Sequence, residues 1–257
     1  MKSDNHYKQL GCAECAGGAG LGFDFTMAFQ PIVNTTTQSI YAHEALARGL
    51  NNEPAGKVFE LVNDANCYRF DQSCRTKAIK LASELNMDTF LSINFMPNAV
   101  YRPELCIRTT LEAAKIYGFP VDRIIFEITE GEQVKDHAHL LEIVQYYKAQ
   151  GFKTAIDDFG AGYSGLNLLA EIQTDIIKLD MALIRHIDQD RNRQAIVKAI
   201  LQLCGELSII PLAEGIETYE ELSVLQSFGL ELFQGYYFAK PAFQSLAVLA
   251  PNAFAGR

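Results

Sequence analysis

Nothing in this chain of 257 residues approaches an unbroken apolar run of about 18, the length a membrane-crossing helix needs. The opening stretch, MKSDNHYKQLGCAEC, has no apolar signal core. Lys and Arg form no runs and the net charge is −9. That argues against duplex nucleic acid as a partner, because backbone phosphates need a clustered basic surface. The six cysteines are scattered, and no second close pair completes a zinc site with Cys12 and Cys15. Reduced thiols in the cytoplasm are the simplest expectation. An acidic chain can still bind a small phosphate ligand if metal ions supply the positive charge.

What is present is an alternation. Residues 1–22, glycine-rich and without a period, read as a partly ordered N-terminal extension, and residues 23–257 read as one domain. Eight β-like runs appear at Thr26–Val33, Ile40–Leu46, Phe90–Asn94, Arg123–Thr129, Lys153–Asp157, Asp175–Lys178, Ile209–Glu214 and Leu230–Gln234. Helical periodicity appears at Arg69–Leu85, Pro103–Tyr117, Ala138–Ala149, Arg191–Leu207 and Tyr219–Phe228. Eight strands with helices between nearly all of them predict an α/β fold, a modified TIM-type (β/α)8 barrel. The modification comes from NTTTQS, the six residues between Val33 and Ile40. So short a link can close a hairpin but not a parallel crossover, so the first strand should run antiparallel to the second.

The stretch AIDDFGAGYSG, Ala155–Gly165, places two adjacent acids, Asp157 and Asp158, at the end of an apolar lead-in and before a glycine-rich turn. A surface turn would have the same composition. The other strand ends decide between the two, for they also carry polar groups: Glu44, Asn94, Glu127, Lys178, Glu214 and Gln234. Parallel barrels open all such ends on one face, where their active sites lie. Five carboxylates packed around one lysine would raise one another's pKa and could not all ionise without cations. Two divalent ions would bring the site near neutrality. All-oxygen ligands select hard ions, Mg²⁺ or Mn²⁺. Two of them about 3.5–4 Å apart can share a carboxylate and clamp a phosphate. Asp157 is the candidate for the shared ligand, and Lys178 would orient or help deprotonate the attacking water, or offset charge on the phosphate.

Several ordered motifs then resemble one family, the EAL-domain phosphodiesterases that hydrolyse the bacterial second messenger cyclic di-GMP to linear pGpG. They are FQPIV at Phe29–Val33, Glu44-Ala45-Leu46 followed by Arg48, Ser92-Ile93-Asn94, Glu127-Ile128-Thr129-Glu130, DDFGAGYSGL, Lys178-Leu179-Asp180, Ala213-Glu214-Gly215-Ile216-Glu217 and Gln234-Gly235-Tyr236. The resemblance implies one metal on Glu44, Asn94, Glu127 and Asp157, and a second on Asp157, Asp158 and Glu214. It implies Lys178 as the catalytic lysine, with Glu217 and Gln234 completing the site. Gln30, Leu46, Arg48, Asp180 and Gln234 would contact the dinucleotide. Glu130, Phe159 and Gly160 would couple the loop after Asp158 to a homodimer. Ala161, Gly165 and Met181 depart from the Thr, Ser and basic residue usual in the family. Calcium should inhibit, because its bonds are longer and its geometry looser. A sensor or regulatory partner is expected, but no GGDEF cyclase motif is present. Two other readings compete: a cyclic di-GMP receptor without turnover, and an enolase-like carbon-acid enzyme using carboxylates, Mg²⁺ and a lysine base.

Overall fold

The computed structural model describes residues 21–97, 100, 102–129, 137–161, 165–251, 253 and 254. Cys12, Cys15 and Glu130 lie outside the described residues. The strands are β1 (Thr26–Asn34), β2 (Ser39–Arg48), β3 (Phe90–Phe95), β4 (Ile124–Thr129), β5 (Lys153–Phe159), β6 (Ile176–Leu179), β7 (Ile210–Ala213) and β8 (Leu232–Gln234). β2 to β8 pair in order and in parallel, and β1 closes the barrel by pairing antiparallel with both β2 and β8. The expected hairpin is present: Asn34 Oδ1 accepts from the backbone N–H groups of Thr36 and Thr37, both at 2.9 Å, and starts the turn. A short extra strand, β9 (Ala242–Phe243), adds to β1 at Ala28 and Phe29; at two residues it carries no period to read.

The helices are α1 (Ala55–Phe59), α2 (Cys67–Glu84), α3 (Pro103–Tyr117), α4 (His137–Ala149), α5 (Gly165–Glu171), α6 (Met181–Ile184), α7 (Arg191–Leu207) and α8 (Tyr219–Ser227). α3 begins with Pro103 and ends at Gly118 in the left-handed conformation (φ 69°). α8 opens with a capping box between Thr218 and Glu221. The longest helix has 18 residues, and among the described residues no helix is long and apolar enough to cross a membrane.

The strand period of two places the core and the site together. Ile32, Ala42, Ile125, Ala155, Ile176, Leu212 and Leu232, one from each of seven strands, pack as a separate apolar cluster inside the barrel. Two residues further along β2, β4, β5, β6 and β8 stand Glu44, Glu127, Asp157, Lys178 and Gln234, and two residues past Leu212 of β7 stands Glu214. Because β1 is reversed, its polar residue, Gln30, comes two before Ile32. The barrel has an apolar floor and a polar rim.

Outside the barrel, α2 carries a fully buried cation. Arg75, 0% exposed, sits 2.7 Å from Asp71 and donates to Tyr147 Oη at 2.8 Å. Its guanidinium lies 5.0 Å from the Phe126 ring centre and 5.4 Å from that of Phe95. Asp71 also accepts from the Met96 N–H at 3.0 Å, which fixes the chain just past β3.

Candidate active site

Adjacent residues of a regular strand face opposite sides, so Asp157 and Asp158 could not both face the rim of an ideal β5. The strand solves this with a bulge. Ile156 pairs with Ile177 and Phe159 with Leu179, so β5 fits one more residue into the interval than β6 does. Asp158 takes the left-handed conformation (φ 54°), which Asp tolerates better than a branched apolar residue. Gly160 follows with φ 99°, where a Cβ would strike Leu183.

Around the rim the polar side chains converge on Lys178, whose side chain is 1% exposed. Its Nζ lies 2.7 Å from Glu214, 2.8 Å from Glu127 and from Asp157, and 3.7 Å from Glu44. Ser92 donates to Glu127 Oε1 at 2.5 Å. Asn94 Nδ2 and Gln234 Nε2 donate to Glu44 at 2.8 and 2.7 Å.

These surroundings split the acids by environment. Burial alone would raise the Glu44 carboxyl, but Lys178, Gln234 and Asn94 together hold it below its usual value. Burial pushes Glu127 well above the carboxylate range, with Lys178 opposing and the neighbouring acids reinforcing. Asp157 is raised by burial as well. Burial and the neighbouring Asp157 and Asp180 push Asp158 up to about 6, and burial pushes Glu214 up to about 8. Lys178 is raised far above the usual lysine value, since its four carboxylates outweigh its burial.

The oxygens form two groups, Glu44–Glu127–Asp157 and Asp157–Asp158–Glu214, each with its ligand atoms within 4.8 Å of one another. Asp157 belongs to both. Asp157 Oδ1 has the ammonium 2.8 Å away as its counter-ion, and Gln234 Oε1 is buried without a donor. Buried oxygens in excess of donors fit hard divalent cations.

Two lobes meet at Asp157 and Asp158. The polar lobe, about 360 Å³, is lined by Gln30, Glu44, Lys178, Asp180, Glu214, Glu217 and Gln234, with Met181, Gly215 and Tyr236 at its edge. The apolar lobe, about 530 Å³, is lined by Leu46, Phe59, Phe70, Cys74, Asn94 and Met96. Arg48 lines neither; half-buried, it donates to the Ala47 carbonyl at 2.7 Å. Asp180 also caps α6 through the Ala182 N–H at 2.7 Å. Phe159 packs in the core and faces no lobe. Sequence reasoning missed Ser92 as a donor to Glu127, although a serine two residues before Asn94 shares its face of β3. It also missed Met181 and Tyr236, whose places on the lip depend on how the loops fold.

The EAL domain family model matches residues 21–241. The chain belongs to the EAL domain family. The blue light- and temperature-regulated antirepressor BluF of Escherichia coli K12 is 34% identical over 224 residues, 87% of this chain and 56% of BluF. A standalone versatile EAL protein from Vibrio cholerae O395, solved in its c-di-GMP-bound form, is 59% identical with a TM-score of 0.88; the match covers 91% of this chain and 99% of that one. The manganese/cy-diGMP complex of Klebsiella pneumoniae BlrP1 at pH 6 is 34% identical with a TM-score of 0.83, over 88% of this chain and 57% of that one. This chain thus spans little more than half of BluF and BlrP1. Glycine explains one of the EAL-type motifs physically: a Cβ on Gly235 would run into the Ile216 backbone where β8 passes the loop after β7. Gly235→Ala should cost about 1–3 kcal/mol through overpacking, read by urea unfolding.

Proposed function

We propose that the protein hydrolyses cyclic di-GMP to linear 5′-pGpG, using two Mg²⁺ or Mn²⁺ ions. The observation that carries this reading is the pair of oxygen groups sharing Asp157 around Lys178, in an EAL chain with no substitution at the catalytic positions the family resemblance implies. Glu44, Asn94, Glu127 and Asp157 would hold one ion, and Asp157, Asp158 and Glu214 the other. Bound there, the ions would acidify a water and neutralise the phosphate. The water oxygen forms the new P–O bond, the P–O3′ bond breaks, and the released 3′ oxygen takes a proton. Lys178, within 2.8 Å of Glu127, Asp157 and Glu214, would orient the water or help deprotonate it, and would offset charge on the phosphate. The two lobes give the flanking nucleosides separate places, the polar one with Gln30, Asp180 and Gln234 and the apolar one with Leu46. Glu217 closes the polar lobe. Arg48 would reach the second phosphate by leaving its own backbone contact.

The deciding experiment is product analysis by ion-pair chromatography with Mg²⁺, Mn²⁺, Ca²⁺ or chelator. Cleavage to pGpG in Mg²⁺ and Mn²⁺, with inhibition by Ca²⁺, is expected. Intact cyclic di-GMP with folded protein in both active metals would refute the proposal. Mn²⁺ affinity should rise as the pH climbs through 6 and level off above 8, as Asp158 and Glu214 lose protons that compete with the metal. Calorimetry in buffers of different ionisation enthalpy checks the proton release.

A second reading, a receptor without turnover, has the antirepressor BluF in its favour. Tight binding in chelator with no cleavage in metal would establish it. In either case the reading includes a cytoplasmic homodimer, coupled to the site through the loop after Asp158, which Phe159 and Gly160 enter and Glu130 would pin, with a sensor or regulatory protein upstream.

A further inference from the structure

Glu217 stands apart from the other rim acids. It lines the polar lobe but belongs to neither oxygen group, and its side chain is 49% exposed. A carboxylate near Asp158, Asp180 and Glu214 would be driven toward solvent by like charge unless something offset it. Arg185 does so. Just past α6, it places Nη2 2.9 Å from Glu217 and Nη1 3.4 Å from Glu221.

Glu221 is the anchor behind it. Only 1% exposed, it accepts from the backbone N–H groups of Glu217 (3.1 Å) and Thr218 (3.3 Å) with one oxygen, and from that of His186 (3.1 Å) with the other. Arg193 donates in turn to the Arg185 carbonyl. One buried carboxylate therefore ties the segment after β7, which carries Glu214 and Glu217, to the segment that follows Lys178 and Asp180. A backbone staple accounts for Glu221. It does not account for the second arm of Arg185, which reaches the cavity acid.

The geometry points to Arg185, backed by Glu221, as a positioning residue that holds Glu217 at the cavity mouth and thereby sets turnover. This inference rests on the phosphodiesterase reading above. The test compares wild type, R185Q, R185K, E217Q and R185Q/E217Q by kcat and KM for cyclic di-GMP in saturating Mn²⁺, and by calorimetry of cyclic di-GMP binding. R185Q should lose roughly 10–100-fold in kcat/KM, the order expected when a group of the site is misplaced by about 1 Å. R185K keeps the charge without the fork, so it should recover only part of that loss. The double variant should be no worse than E217Q, because Arg185 acts through Glu217. R185Q with wild-type kinetics, or losses that multiply in the double variant, would overturn the inference. If R185Q does not fold, R185K/E217Q against E217Q reads the same coupling, with equality expected and a multiplied loss contradictory. A wild type that cleaves nothing would refute the phosphodiesterase reading alone. Calorimetry with cyclic di-GMP in Mn²⁺ then judges the clasp, with binding about 10-fold weaker in R185Q supporting it and unchanged binding overturning it.

Discussion

Asp157→Asn should abolish cyclic di-GMP hydrolysis while leaving the barrel folded. Asp157 is the one acid common to both oxygen groups, so its neutralisation leaves each with only two carboxylates. The loss should exceed the roughly 100-fold upper range of changes one layer further out. Glu44→Ala should act likewise through the first group alone. Lys178→Ala makes the informative contrast. It removes a donor and no ligand, so Mn²⁺ uptake should survive while turnover falls about 10²–10³-fold. Unchanged turnover would show that the lysine is only structural. Loss of the ammonium also leaves Glu44, Glu127, Asp157 and Glu214 without their shared counter-ion. The metal-free variant should therefore melt lower than wild type, and Mn²⁺ should recover most of the difference by binding only the folded form.

Arg75→Met should cost about 3–5 kcal/mol of stability, the usual effect of removing one partner of a buried ion pair. Asp71 would be left charged and 2% exposed, and Tyr147 would lose its donor. The cost should fall in Asp71→Leu/Arg75→Met, because no unpaired charge remains. It should not vanish, since the Met96 N–H then lacks its acceptor, a deficit of about 1–3 kcal/mol. Urea unfolding of wild type and the two variants checks the order. A single variant as stable as wild type would mean that the ion pair does not hold α2 to the barrel.

Most of the fold was legible because it rests on two periods. The strand period of two alternates apolar floor with polar rim, and the helix period marks α2, α3, α4, α7 and α8. The hairpin followed from the short NTTTQS link. α1, α5 and α6 were not legible, at five, seven and four residues, too short for a helical period to declare itself. The site acids were legible as strand-end residues, yet the bulge that turns Asp157 and Asp158 to the same side was not. It depends on a positive φ at Asp158 and on the pairing with β6, neither of which a single strand shows. The capping box at Thr218 and Glu221 can be seen in the sequence as a helix start. That the same glutamate also grips Arg185 depends on how two distant loops meet.

Anomalous diffraction from crystals grown in Mn²⁺ tests the central claim most directly. Two peaks about 3.5–4 Å apart, bridged by Asp157, with Glu44, Asn94 and Glu127 on one and Asp158 and Glu214 on the other, are predicted. A rim that binds no manganese, its acids turned away from one another, would contradict it.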